Sequence, residues 1–231
     1  MKINKISIII PAYNEAKTIE RLLARVEETD LGCEKEIIVV DDGSSDDTPD
    51  ILKRYESKYR IIRHLKNRGK GAAVRSGYQA ATGDCAIVQD ADLEYDPRDI
   101  GRMIKKAEEE NAQAVFGSRR LDWAREKNQK AGWIYHLGGI FLSALTNLLY
   151  GTKITDEPTC YKMVSKETLD RIDLKAEGFE FCPELTAKIA RLGIKIYEIP
   201  ISYFPRSVRE GKKIKIKDGA IAIWTLIKNR F

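Results

Sequence analysis

The first 120 residues alternate short apolar runs with segments of helical period. Lys5–Pro11 (KISIIIP) is an Ile-rich run of the kind that forms a strand buried on both faces. In TIERLLARVEE, Ile19, Leu22, Leu23 and Val26 fall on one helical face. EIIVVDDGS reads as a second buried strand. Thr48-Pro49 then supplies an N-cap and a first helical position for DILKRYESKY. RIIRHL is a short third strand, and GKGAAVRSGYQAA a glycine-rich turn into a helix stopped at Gly83. CAIVQDAD is a fourth strand. Asp96-Pro97 caps RDIGRMIKKAEEE, and AQAVFGS is a fifth strand. Strands separated by single helices predict parallel pairing and right-handed crossovers, that is, a doubly wound α/β sheet.

After Arg120 the pattern changes. Gly132 to Gly151 (GWIYHLGGIFLSALTNLLYG) contains no Asp, Glu, Lys or Arg and approaches the length of a membrane span. Its glycines, with His136, Ser143, Thr146 and Asn147, instead predict an apolar helix that is buried or lies at a membrane surface. FEFCPELTAKIARLG is a helix closed by Gly193. IKIYEIPISYFPR is a late strand pair or one bent strand, and IKDGAIAIWTLIKNRF an amphipathic terminal helix. Repeats, low-complexity tracts and long linkers are missing. A single domain over residues 1–231 is expected, its halves 1–120 and 121–231 packed together.

Composition narrows the chemistry. The net charge of +5 is concentrated between Arg206 and Arg230, a basic end suited to phosphates or anionic lipid. Nucleic acid is a poor fit, because aromatic residues are not interleaved with those cations. Two histidines argue against a His-based metal site or a Ser-His-Asp triad. Cys33, Cys85, Cys160 and Cys182 show no zinc spacing and read as single buried thiols of a reducing compartment. The N-terminus has no signal-peptide pattern. NRGKGAAVRSG lacks the spacing of a P-loop.

The candidate chemistry lies at the strand ends. PAYNE, VDDGS, QDAD and GSRR are polar, charged or glycine-bearing where each apolar run stops, and ligands of such sheets sit outside those ends. In QDADLEYDP, acids recur at every second position. If the strand continues, Asp90 and Asp92 share a face, with Glu94 beside them. Carboxylates held that close repel, and a hard divalent ion, Mg²⁺ or Mn²⁺, relieves them. Mg²⁺ usually keeps substrate phosphates among its ligands, so carboxylate, metal and diphosphate form the expected assembly.

IIIPAYNE, VVDDGSSDDT, NRGKGAAVRSG, QDAD and GSR, in this order, resemble glycosyltransferase family 2. YFPRSVREGKKIKIKDG is similar to the branch of dolichol-phosphate mannose synthases and polyprenyl-phosphate glycosyltransferases. The resemblance implies the GT-A fold, a Rossmann-like, mostly parallel sheet flanked by helices. Residues 1–120 would bind the nucleotide sugar, and 121–231 would form the acceptor and membrane-proximal half. Pro11, Tyr13, Glu15 and Asp42 would line the base and ribose, with Lys70 and Gly71 near the nucleotide. Asp90 and Asp92 would hold donor and metal, with Ala91 giving a backbone contact and Glu94 a further metal contact. Arg119, Arg206 and Lys212 would bind phosphate groups.

The implied reaction is inverting transfer of a hexose from GDP-mannose or UDP-glucose to a polyprenyl or dolichyl phosphate. Asp92, Arg206 and Lys212 would carry the chemistry, at the cytoplasmic face of a membrane to which the protein is peripherally attached. A phosphate acceptor is already a nucleophile at neutral pH and needs no base. The alternative acceptor, a saccharide hydroxyl, needs Glu180, Glu184 or Asp156 to take its proton.

Overall fold

The computed structural model describes residues 2–128, 133–205 and 216–231. Strands β1 (Lys5–Ala12), β2 (Glu34–Asp41), β3 (Arg60–Arg63), β4 (Cys85–Val88) and β5 (Ala114–Ser118) form at the apolar runs. Between them lie α1 (Ile19–Glu28), α2 (Thr48–Lys53), α3 (Lys70–Ala80) and α4 (Arg98–Glu110). The second half adds α5 (Asp122–Lys127), α6 (Trp133–Tyr150), β6 (Lys162–Ser165) and α7 (Lys166–Asp170). It closes with α8 (Phe181–Arg191), β7 (Ile196–Pro200) and α9 (Ile216–Arg230).

The strands make one sheet in the order β3-β2-β1-β4-β6-β5-β7. β1 pairs parallel with β2 on one side and β4 on the other. The winding therefore reverses at β1, and the crevice beyond the C-terminal ends of β1 and β4 is where such sheets take ligands. One expectation fails here. β5 does not lie beside β4: β6 is inserted between them and runs antiparallel to both. Its sequence, KMVS, is too short for a clear period, and it carries Lys162, which is fully buried.

Each face of the sheet has its own core. Ile6, Ile8 and Ile10 point from β1 toward α1 and α4, where Ile19, Leu22, Leu23, Val26, Ile100 and Met103 pack against them. Ile9 points the other way, toward Val74 and Tyr78 of α3 and Phe181, Leu185 and Ile189 of α8. Burying Val, Leu, Ile or Phe side chains in this way stabilises by roughly 1.5–3 kcal/mol each. Residues from the second half, among them Tyr161, Met163 and Ile199, belong to the first of these cores. α6 and α9 pack on each other through Leu142, Ala222 and Leu226.

Local departures from the sequence reading have physical causes. The fourth strand stops at Val88, so the acids do not continue it; they lie in a turn with Leu93 at φ 66°. The alternation that put Asp90 and Asp92 on one face thus does not apply. Thr48 is not the cap of α2. Asp47 takes that position, while the Thr48 hydroxyl accepts from Glu15 N at 2.9 Å. α3 ends at Ala80, before Gly83, where a side chain would come within 2.8 Å of Ser7 N on β1. The late segment is one strand, β7, followed by an isolated bridge from Tyr203 to Tyr95.

Candidate active site at the ends of β1 and β4

The acidic turn after β4 meets the glycine-rich turn that opens α3. Lys70 Nζ lies 2.5 Å from Asp90 Oδ1 and donates to Cys160 Sγ at 2.9 Å. Burial opposes the charge of Lys70, yet Asp90 outweighs it and holds the ammonium well above its ordinary pKa. Gly69 makes the approach feasible: it adopts φ 98°, and a side chain there would strike Glu177 O. Gly71 lies as close, since a Cβ would meet Ala176 O at 2.6 Å. Ala91, between the two aspartates, is buried.

Asp42 organises this turn from behind. Its carboxylate accepts from Arg68 N at 3.0 Å and Gly69 N at 2.7 Å, and lies 2.6 Å from His64 Nδ1. His64 Nε2 reaches Ser76 Oγ of α3 at 2.9 Å. Asp42 is thus engaged with the protein itself, and His64 is a supporting residue that no short motif announces. Pro11 lies in β1 opposite Val40, and Tyr13 follows, half-buried. Glu15 is buried at the entry to α1 and accepts from Thr18 Oγ1 at 2.8 Å. Asn14 laces the β1 and β2 ends together: Ser44 Oγ accepts from its N–H, and its own Oδ1 accepts from Ser45 N.

On the other side of the crevice, Asp92 Oδ1 accepts from Glu94 N at 3.1 Å, and Glu94 Oε2 accepts from Tyr203 Oη at 2.9 Å. Tyr95 stacks on Tyr161 at 4.7 Å and tilts against Tyr203 at 5.4 Å. This aromatic wall ties the acidic turn to the strand segment that follows β7.

Arg119, at the end of β5, lies over the Tyr203 ring at 4.8 Å and is clamped by Asp156. Nε donates to Asp156 Oδ2 at 2.7 Å and Nη2 to Oδ1 at 2.8 Å, a bidentate pair. Asp156 is fully buried. Burial pushes its carboxyl up, but Arg119 outweighs burial and leaves it below the usual carboxylate range. Glu198 of β7 holds the Asp156 turn by accepting from Thr155 N at 2.8 Å and Asp156 N at 3.2 Å. Glu184 accepts from Lys175 N and Ala176 N, and Glu180 from Glu177 N and Gly178 N. Those bonds shape the loop that abuts Gly69 and Gly71. Arg206 and Lys212 lie outside the described residues.

Among the described residues, no three His, Cys, Asp or Glu side chains form a ready metal cage. The acidic turn nonetheless fits a hard divalent ion. Its donors are all carboxylate oxygens, and Asp90 already holds a cation, the Lys70 ammonium, against its Oδ1. Two carboxylates completed by substrate phosphate is a set that Mg²⁺ accepts.

The fold is that of GT-A glycosyltransferases. Glucosyl-3-phosphoglycerate synthase from Mycobacterium tuberculosis, solved with Mn²⁺, UDP and glucosyl-3-phosphoglycerate, matches with a TM-score of 0.74 at 22% identity, covering 98% of this chain and 80% of that one. Within that class, the chain belongs to glycosyl transferase family 2, whose model matches residues 7–173. It is 31% identical to a dolichol-phosphate mannosyltransferase of Pyrococcus furiosus over 90% of this chain and 59% of the relative. It is 30% identical to a UDP-N-acetylglucosamine–dolichyl-phosphate N-acetylglucosaminyltransferase of Methanococcus voltae over 91% of each. An undecaprenyl-phosphate 4-deoxy-4-formamido-L-arabinose transferase of Proteus mirabilis is 31% identical over 91% of this chain. The chain spans under two thirds of the length of the Pyrococcus and Proteus relatives, 59% and 63%.

Proposed function

We propose that this enzyme transfers a hexose, with inversion, from a nucleotide sugar to a polyprenyl phosphate, working at a membrane surface. GDP-mannose and UDP-glucose are the donors to test first. The divalent ion, when bound at Asp90 and Asp92, supplies positive charge to the leaving diphosphate. Asp90 and Asp92 orient the donor, and Lys70 adds a fixed cation beside them. Asp42 and the Arg68–Gly69 turn hold the opening of α3 toward the nucleotide. Arg119, kept charged by Asp156, offers a cation on the acceptor side. Arg206 and Lys212 are proposed as further phosphate ligands.

The observation that carries this reading concerns the base. Each carboxylate considered for deprotonating a sugar hydroxyl is already committed: Asp156 to Arg119, Glu184 to Lys188 and two loop amides, Glu180 to two amides. An acceptor that is largely a dianion at neutral pH, with a second pKa of about 6, needs no such group. The test is a panel of labelled nucleotide sugars with a short-chain prenyl phosphate and Mn²⁺. Label is expected in the organic phase, with a rate that levels off above about pH 7. Label entering only water-soluble saccharides overturns the reading.

Attachment to the membrane rests on where the apolar surface lies. Among the described residues, nine of the eleven large hydrophobic side chains that are exposed belong to α6, to α9 or to Phe231 just after it. They include Leu137, Phe141, Leu148 and Trp224, the last 63% exposed. A groove of about 740 Å³ between α8 and α9 shares Trp224 and Ile221 with that surface and is rimmed by Arg171, Arg191 and Lys228. Among the described residues no helix is long and apolar enough to cross a membrane. Tryptophan beside cations suits the headgroup layer. The protein is therefore expected to sediment with vesicles containing phosphatidylglycerol, and Trp224→Ala with Phe141→Ala to weaken that binding about a hundredfold, the loss of two aromatic side chains that would enter the bilayer. Equal sedimentation of wild type and double variant contradicts the membrane placement.

A further inference from the structure

Asp90 serves two cations. The donor-site reading gives it a divalent ion, and the fold gives it the Lys70 ammonium, 2.5 Å from its Oδ1. Mg²⁺ takes carboxylate oxygens at about 2.0–2.1 Å. An ion on Oδ1 therefore crowds the ammonium, and an ion on Oδ2 faces it as a like charge across one carboxylate. Water screens this little, because the two side chains are only 15% and 12% exposed. Lys70 stays charged there: burial opposes its charge, but Asp90 outweighs burial. The ammonium has other partners within reach. It donates to Cys160 Sγ at 2.9 Å and lies 5.8 Å from the centre of the Phe179 ring. The backbone of Lys70 is pinned, since Gly69 and Gly71 abut residues 176–178 and Ala72 N donates to Glu177 O at 3.2 Å. The flexible four-carbon stem is the part that can turn. Lys70 is also the first residue of α3, an eleven-residue helix, and a helix start attracts phosphate. A diphosphate drawn there meets the ammonium.

We propose that Lys70 is a positioning residue that couples the two ligands of the donor site: its ammonium holds Asp90 against a divalent ion until a nucleoside diphosphate draws it away. No covalent bond changes. The ammonium exchanges one anionic partner for another, tethered throughout by Cys160 and Phe179, and Asp90 is released to ligate the ion. Metal affinity then depends on nucleotide, and by linkage nucleotide affinity depends on metal to the same degree. The arrangement also favours turnover. When the diphosphate departs, Lys70 returns to Asp90 and the ion loses a ligand, so ion and product leave together. A purely structural Lys70, present to neutralise Asp90, makes a different prediction. Its removal would loosen the acidic turn and lower metal affinity, whereas removal of a competitor raises it.

The inference rests on the assignment of donor and metal to Asp90 and Asp92. The experiment uses the full chain, as wild type, Lys70→Met and Lys70→Gln. Protein-bound Mn²⁺ is measured by equilibrium dialysis, alone and with UDP or GDP, with allowance for Mn²⁺ held by nucleotide in solution. Thermal denaturation identifies the folded variants; Lys70→Gln keeps a hydrogen bond to Asp90 without the charge and serves where Lys70→Met does not fold. Wild type should bind Mn²⁺ weakly alone and at least tenfold more tightly with nucleotide, within the usual range of coupling between two ligands. The folded variant should bind Mn²⁺ alone about tenfold more tightly than wild type, and its dependence on nucleotide should shrink by the same factor. A folded variant whose affinity for Mn²⁺ alone is unchanged or lower overturns the proposal. So does wild type that binds Mn²⁺ equally tightly with and without nucleotide. If wild type binds nucleotide but takes up no Mn²⁺ in either condition, the metal assignment itself falls and the role of Lys70 falls with it, an outcome distinct from both of the others.

Discussion

Asp156→Asn is expected to destabilise the protein by about 3 kcal/mol, the lower end for breaking one side of a buried ion pair. Asp156 is fully buried, and it accepts the Arg119 backbone N–H as well as two guanidinium donors. An asparagine keeps the shape but leaves the Arg119 charge uncompensated, and its NH₂ would face a donor. For a chain of this size the loss corresponds to a melting temperature lower by roughly 6–12 °C. The pH dependence has a definite sign. In the fold the Asp156 carboxyl lies below its ordinary value of 3.8. Its contribution is therefore complete above the ordinary value and is lost as the pH falls through the depressed one. Wild type should lose stability more steeply than Asp156→Asn as the pH falls below about 4. Urea denaturation across that range measures both effects. Equal midpoints for the two proteins at pH 7 would show that the clamp is not structural.

The clamp also reaches the wall of the acidic turn. Arg119 lies over Tyr203, whose hydroxyl donates to Glu94. A disordered Arg119 therefore loosens the wall of the acidic turn as well as removing a cation.

Much of the first half was legible in the sequence because its signals are local. Ile-rich runs marked β1 and β2, and Ile19, Leu22, Leu23 and Val26, expected on one helical face, are all buried in α1. The Asp-Ala-Asp turn and the glycine-rich turn stood out at strand ends, and the fold brings them together as Lys70 and Asp90. What was hidden depends on contacts between distant residues. β6 was missed because four residues with a buried lysine carry no period, and Lys162 is tolerable there only because Glu157 and Thr186 meet it. The contacts that hold Asp42, which was expected to line the base or ribose, come from His64, Arg68 and Gly69, more than 20 residues away. Asp156 was read as a candidate base; only the fold reveals the arginine that makes it a poor one.

The second large effect falls on the aspartates. Replacing Asp90 and Asp92 together by asparagine keeps side-chain volume and removes both negative charges from the acidic turn. A loss of about a thousandfold in kcat/KM is expected, since electrostatic support of the leaving group is usually the largest single contribution to such reactions. Lys70 would lose its partner at the same time, so stability must be followed separately, by thermal denaturation. Binding separates the ionic role from a structural one. Calorimetric titration of UDP and GDP, with and without Mn²⁺, into wild type and Asp90→Asn/Asp92→Asn is the decisive measurement. Wild type should bind nucleoside diphosphate more tightly when Mn²⁺ is present, and the folded double variant should bind it equally weakly in both conditions. An undiminished Mn²⁺ effect in the double variant, with turnover intact, would contradict the assignment of the donor and its metal to these two carboxylates.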